Sequence, residues 1–342
     1  MNGLSTLTRP SFEHLLRLSD DIGLFEHASY DEPRRDHGYC VDDVARGVIV
    51  ICREPSPSTE LVELAERYLA FVIAAITPAG ACRNRRATDG TWSPDASYDD
   101  CWGRAVWCLG VAATSAPTDS MRASALTAFG VAARGRSVHP RAMAFAALGA
   151  GPIVLADPSD EAARSLLRDA VALADSGDSG VPGWPWPQPR LGYSNGSLAE
   201  AVLLAGMALG EPALVARGLE LLTFLMRTET FHGHLSVTPV AGRGPHDARP
   251  AYDQQPIEVA AIADACARAY ESTHDDRWLR GVESAWAWFR GVNDSSLPML
   301  DARTGAGYDG LELNGRNENR GAESTLAAIS TAQQSLRFTS NR

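Results

Sequence analysis

Six segments of this chain, 40–52, 99–114, 139–155, 196–209, 254–273 and 321–336, have a helical pattern that is apolar on nearly every side and rich in small residues. A helix without a polar face must be covered all round, and small side chains let neighbouring helices approach closely. The segments that alternate with them, 11–20, 59–77, 118–134, 159–175, 211–226 and 276–291, are amphipathic. In 61–76, for example, Leu61, Leu64, Tyr68, Leu69 and Val72 share one face, with Glu60, Glu63, Glu66 and Arg67 elsewhere. Alternation of wholly buried and half-buried helices predicts an inner ring of six inside an outer ring of six, an all-α (α/α)6 toroid. An α-solenoid would show a fixed repeat period, whereas these connections vary from one residue to almost thirty. No linker composition interrupts the pattern, so residues 1–342 are expected to form one domain. No alternating strand pattern stands out; residues 235–238 are expected to form a short hairpin arm within a loop.

The connections have their own rule. Those leaving inner helices are short (53–58, 115–117, 156–158, 210 and 274–275). Those entering them are long (21–39, 78–98, 176–195, 227–253 and 292–320), with 135–138 the exception. Long loops in a compact domain usually carry function. All of these would emerge on one face, where the inner helices begin.

The inner-helix starts are rich in polar chemistry. The first reads Asp36-His37-Gly38-Tyr39-Cys40-Val41-Asp42-Asp43-Val44-Ala45-Arg46. Capping accounts for one Asp at a helix N-terminus, but two with Arg46 one turn later exceed it. The second start, Ser97-Tyr98-Asp99-Asp100-Cys101-Trp102-Gly103-Arg104, repeats the paired acids and the Arg. The third brings His139 and Arg141, and the fourth follows Trp184-Pro185-Trp186-Pro187 with Tyr193 and Asn195. The fifth carries Asp253, Gln254, Gln255 and Glu258, and the sixth Glu318, Asn319, Arg320 and Glu323. Converging at one end of the toroid axis, these acids, amides and arginines would bond hydroxyls while the aromatics stack on sugar rings. A carbohydrate is the expected substrate.

Glycoside hydrolysis needs one protonated carboxylic acid and one carboxylate acting as base or nucleophile. Asp43 and Glu323 are the leading catalytic pair, because a closed ring makes the first and sixth inner helices neighbours; Asp100 and Asp253 follow. Arg46 is expected to hold Asp42, Arg104 to hold Asp100, and Glu258 to support the site. Asp43, at a positive helix end, is expected to be the ionised base. Glu323, entering an apolar helix, is expected to have the raised pKa of the acid, and the outcome is expected to be inversion.

Composition removes other functions. A net charge of −11, with no basic stripe, argues against nucleic acid. No apolar run reaches membrane-spanning length, and residues 1–18 lack the apolar core of a secretory leader. The six cysteines form no CxxC pair; Cys52, Cys108 and Cys266 sit among apolar residues, as expected of reduced thiols in a cytoplasm. His37 with Cys40, and His232 with His234, lack specific zinc-ligand spacing, so no metal or other cofactor is expected. No phosphate-binding glycine loop is present. Arg34, Arg35, Arg83, Arg85 and Arg86 fit a solvated loop, or a holder for an anionic group at the rim.

The motifs Arg35-Asp36-His37-Gly38-Tyr39-Cys40-Val41-Asp42-Asp43-Val44-Ala45-Arg46, Asp253-Gln254-Gln255-Pro256-Ile257-Glu258 and Asn317-Glu318-Asn319-Arg320-Gly321-Ala322-Glu323-Ser324-Thr325 resemble a bacterial six-hairpin family. That family occurs alone or joined to the C-terminal side of sugar-nucleotide glycosyltransferases, and the resemblance covers nearly the whole chain. It implies a glycosyltransferase as a partner. More loosely, the chain is similar to (α/α)6 glycoside hydrolases, including mannanases whose helix starts carry paired Asp. Tyr193-Ser194-Asn195-Gly196-Ser197 departs from the family pattern, in which an Asp usually follows the Tyr; Ser194 cannot serve as an acid. A sugar epimerase on the same toroid would use paired histidines, and only His37 and His139 stand at inner-helix starts. A terpene cyclase would line its cavity with aromatics rather than amides and Arg. A non-catalytic carbohydrate-binding domain serving a glycosyltransferase would need the aromatics and Arg, but not acids in two environments.

Overall fold

A computed structural model describes residues 9–175 and 179–339. The first eight residues of the N-terminal stretch, and residues 176–178 of the loop expected at 176–195, lie outside the described residues. The inner helices are α2 (Val41–Cys52), α4 (Asp100–Ser115), α6 (Pro140–Ala156), α8 (Asn195–Leu209), α10 (Pro256–Thr273) and α12 (Ala322–Thr339). The outer ones are α1 (Glu13–Arg17), α3 (Thr59–Ala75), α5 (Asp119–Ala132), α7 (Glu161–Ala174), α9 (Pro212–Glu229) and α11 (Asp276–Phe289). Each inner helix packs against the next, and α12 returns to α2, closing the ring. Each outer helix lies on its inner partner, with α1 on α12. This is the (α/α)6 toroid that the alternation predicts.

Burial follows the two kinds of helix. From Asn195 to Gly206 every residue of α8 is buried. Helix α11 buries only the stripe of Trp278, Leu279, Gly281, Val282, Ala285, Trp288 and Phe289. Each fully buried large apolar side chain of that stripe stabilises the fold by about 1.5–3 kcal/mol. The small residues act where α4 meets α6. A Cβ added to Gly110 would strike the Gly149 carbonyl, and one added to Gly149 would strike that of Val106. Only hydrogen fits at either position, so this glycine pair sets the spacing of the two helices.

The long loops feed the N-terminal ends of the inner helices, stiffened among the described residues by five antiparallel two-stranded ladders. One pairs Tyr39 with Arg86 and Cys40 with Arg85, tying the first long loop to the second. The expected arm at 235–238 is displaced: the strand is His234–Leu235, paired with Thr230–Phe231. Thr238 instead donates from its backbone N–H and hydroxyl to buried Glu229. Among the described residues no helix is long and apolar enough to cross a membrane.

Candidate active site

The two rings begin differently. Four outer helices start with a side-chain cap, from Ser58, Thr118, Asp160 and Asp275. The N-cap residues of five inner helices, Cys40, Asp99, His139, Ser194 and Gln255, make no such bond. The polar groups at these starts are therefore not consumed by capping, which is the usual role of such residues.

At the junction of α2 and α12, Arg46 takes two carboxylates. Its Nη1 donates to Glu323 Oε2 at 2.7 Å, and its Nη2 lies 3.3 Å from Asp43 Oδ1. Nε donates to the backbone carbonyl of Asp42 at 3.1 Å. The expected Arg46–Asp42 carboxylate pair is not formed, because the guanidinium turns inward toward α12. Asp43, Glu323, Arg46, Asp42 and Gln255 line one cavity of about 280 Å³ together with Glu26, His27, Arg85 and Asp309.

The protonation expectations are reversed. Burial pushes the Asp43 carboxyl up to about 8, and Arg46 only partly opposes this. The residue is 3 % exposed, and its Oδ1 lies 3.3 Å from Arg46 Nη2 without a hydrogen bond. Burial also acts upward on Glu323, but the charge and hydrogen bond of Arg46 pull its carboxyl below the ordinary value. The Glu323 side chain is 39 % exposed, so solvent helps to keep it ionised. Asp43 is thus the group held protonated and Glu323 the group held charged.

Asp42 also lines a second cavity of about 740 Å³ with Asp99, Asp100, His139, Arg141 and Tyr193. Burial raises the Asp100 pKa, against the pull of Arg104. Arg104 forms no ion pair with Asp100; it lies 3.8 Å over the Phe145 ring, its pKa lowered to about 10 chiefly by burial. Asp99 faces His139 at 3.3 Å on the exposed rim. Arg141 is buried, donates to the Ser194 carbonyl at 3.0 Å and stands 5.5 Å from the Tyr193 ring.

Other candidates belong to the scaffold. The Tyr39 hydroxyl donates to Asp20 at 2.6 Å, and its ring stacks on Phe25 in the core. Trp102, wholly buried, donates to the Ala132 carbonyl at 3.1 Å. Trp184 and Trp186 pack on Phe224 as a plug rather than a sugar platform. Glu258 accepts from the backbone N–H groups of Ser194 and Asn195 and from the Asn195 amide, fixing the left-handed turn at Ser194 (φ 48°). Gln254 is spent on Asp294 at 2.6 Å. Asp253 is exposed against Gly310, outside both cavities, with its pKa raised by partial burial and Glu312. Asp36 pairs with Arg34 and His37 on the outer surface, and Glu318 with Arg316. Asn319 accepts from Tyr30 N–H at 2.9 Å and Arg320 pairs with Asp301 at 3.0 Å, clasping two loops.

Among the titratable members of the smaller cavity, Glu26, His27 and Asp309 have no signal in the sequence, and Arg85 is expected only as a rim arginine. Glu26 and His27 come from the first long loop, Arg85 from the second and Asp309 from the last. Arg85 pairs with Glu26, so the rim arginine has a protein carboxylate as its anion. The ladder between residues 39–40 and 85–86 brings Arg85 here, the bridge between Phe25 and Tyr39 brings Glu26 and His27, and Asp309 is tied to Asn319 and Gly321; nothing periodic marks them. Glu26, Cys40 and Asp43 place possible metal-ligand atoms within 4.8 Å of one another, the one such cluster found among the described residues. The set suits a cation poorly: Arg85 and Arg46 already neutralise its carboxylates, and burial pushes the Cys40 thiol up.

No family model matches this chain, and neither does any curated protein sequence. Solved structures do. A sugar epimerase from a ruminal bacterium superposes with TM-score 0.72 at 12% identity, over 96% of this chain and 95% of the other. A GH76 α-mannanase of Bacteroides thetaiotaomicron gives TM-score 0.66 at 12% identity, over 96% and 95%. The cellulase Cel9M of C. cellulolyticum gives 0.61 at 9% identity, over 92% and 87%. At these identities the likeness is one of fold, and the fold of this chain is the (α/α)6 toroid.

Proposed function

We propose that this chain is a glycoside hydrolase in which Asp43 is the general acid and Glu323 the general base. One guanidinium, that of Arg46, contacts both carboxylates in one cavity, yet their environments push their protonation in opposite directions. Separated pKa values on neighbouring carboxyls are what acid–base hydrolysis requires. Asp43 delivers its proton to the glycosidic oxygen as the bond to the anomeric carbon breaks. Glu323 takes a proton from water, whose oxygen forms the new bond to that carbon; solvent exchange then resets both groups. Inversion is the expected outcome, with the attacking water held by Glu323 on the face opposite the departing group. Structural likeness to enzymes named as α-mannanase, cellulase and sugar epimerase supports carbohydrate as the substrate class.

Epimerisation is the second reading, favoured by His27 in the acid cavity and by the epimerases among the superposed structures. It would need a second base on the opposite face of the sugar, and His139 lines only the adjacent cavity. Incubation with manno- and cello-oligosaccharides, followed by proton NMR of the anomeric signals, separates the possibilities. New reducing ends of inverted configuration are expected. A changed C2 configuration without chain cleavage would establish epimerisation, and binding without turnover a non-catalytic domain.

A further inference from the structure

The acid cavity adjoins its neighbour but is closed behind. Asp42 lines both cavities. The partition beside it is thin: Cys40 Sγ, on the smaller side, lies 3.3 Å from Asn84 Oδ1, on the larger, and 3.4 Å from Asp42 Oδ2. Asp42 Oδ1 is buried and has no hydrogen-bond partner, so an unused acceptor stands at the junction. Behind Arg46 and Glu323 the toroid axis narrows to a space of about 40 Å³ that ends against Arg53, Asp264 and Ser330. That volume holds roughly three water molecules and no sugar ring, so a saccharide cannot thread through.

The two cavities also differ in size and lining. The smaller, at about 280 Å³, presents charged groups and no large aromatic ring. The larger, at about 740 Å³, holds Tyr193, 42 % exposed, with the Arg141 guanidinium beside its ring. Trp102, Trp184 and Trp186 are packed away and Trp92 is half-buried beside Arg86, and neither cavity is lined by any of them; Tyr193 is the large aromatic ring in the lining of the larger cavity.

Building on the hydrolytic reading, we infer that the acid cavity receives one terminal ring of an oligosaccharide. The next units cross Asp42 into the larger cavity, where one ring stacks on Tyr193. The substrate class is therefore a chain end, trimmed one unit at a time, and Tyr193 determines the preference for chains over single sugars.

Titration calorimetry with manno- and cello-oligosaccharides of one to five units tests this without relying on turnover. Affinity is expected to rise with length over the first few units. Tyr193→Ala should remove on the order of tenfold of the affinity at three units, as expected for loss of an aromatic stacking face, and Tyr193→Phe should retain it. Affinity independent of length, or a Tyr193→Ala variant with the wild-type length dependence, would overturn the subsite. First products that are internal fragments rather than single sugars would overturn end-trimming while leaving hydrolysis intact. Length-dependent, Tyr193-dependent binding without turnover would retire the hydrolytic reading and leave the chain subsite standing.

Discussion

Arg46 Nη1 donates to Glu323 Oε2 at 2.7 Å, so a charge-assisted hydrogen bond joins the first inner helix to the last across the seam of the ring. The same guanidinium reaches Asp43 at 3.3 Å without hydrogen-bonding it. The unequal grip on the two carboxylates underlies the division of roles proposed for them.

Asp43→Asn and Glu323→Gln, made separately, should each lower kcat on the order of 10²-fold or more, the usual cost of losing an acid–base group. Steady-state kinetics on the oligosaccharide that is turned over checks this. Near wild-type rates in both variants would remove the pair from catalysis and leave Asp100 as the acid to test.

The wild-type pH profile of kcat/KM should fall on the alkaline side near pH 8, where Asp43 loses its proton. Its acidic limb should lie below the ordinary carboxylate range, because Arg46 holds Glu323 down. Arg46→Met should move that acidic limb upward, since Glu323 would then keep its burial and lose its cation. An unmoved limb would show that Glu323 does not set it.

Glu200 gives a stability test away from the site. Buried on α8 with an unpartnered Oε2, its carboxyl is pushed by desolvation to about 7. A folded-state pKa raised above the unfolded value favours the native state at low pH, and that advantage disappears as pH rises through the folded value. Glu200→Gln should therefore match the wild-type Tm near pH 4.5 and exceed it at pH 8. Equal Tm values at both pH values would show that Glu200 does not titrate on unfolding.

Trp186 is wholly buried against Phe224. Trp186→Ala should cost about 3–5 kcal/mol of stability, measured by chemical denaturation. A raised KM at unchanged stability would instead return Trp186 to the substrate-binding surface.

Chelation should leave activity intact, because guanidinium groups already balance the acids that could serve as ligands. Loss on EDTA treatment with recovery on adding Ca²⁺ or Zn²⁺ would mark Glu26, Cys40 and Asp43 as a cation site.

The alternation of helix types in the sequence was sufficient to determine the toroid. A helix apolar on all sides, such as α8, can only lie inside, and one with a single apolar stripe, such as α11, can only cover it. Ring closure then follows from the count of pairs, which is why Arg46 and Glu323 could be expected as neighbours although 277 positions separate them. What tertiary structure decided was the direction in which side chains point and how dry their surroundings are. Trp184 and Trp186 fit either a sugar platform or a rigid loop plug in the sequence, because local sequence does not distinguish a ring facing solvent from one facing Phe224. Glu26, His27, Arg85 and Asp309 carry no periodic signal, and only loop pairing brings them to the cavity. Asp43 and Glu323 exchanged their expected protonation tendencies because pKa depends on desolvation and the placement of one guanidinium, quantities that exist only once α2 and α12 have met.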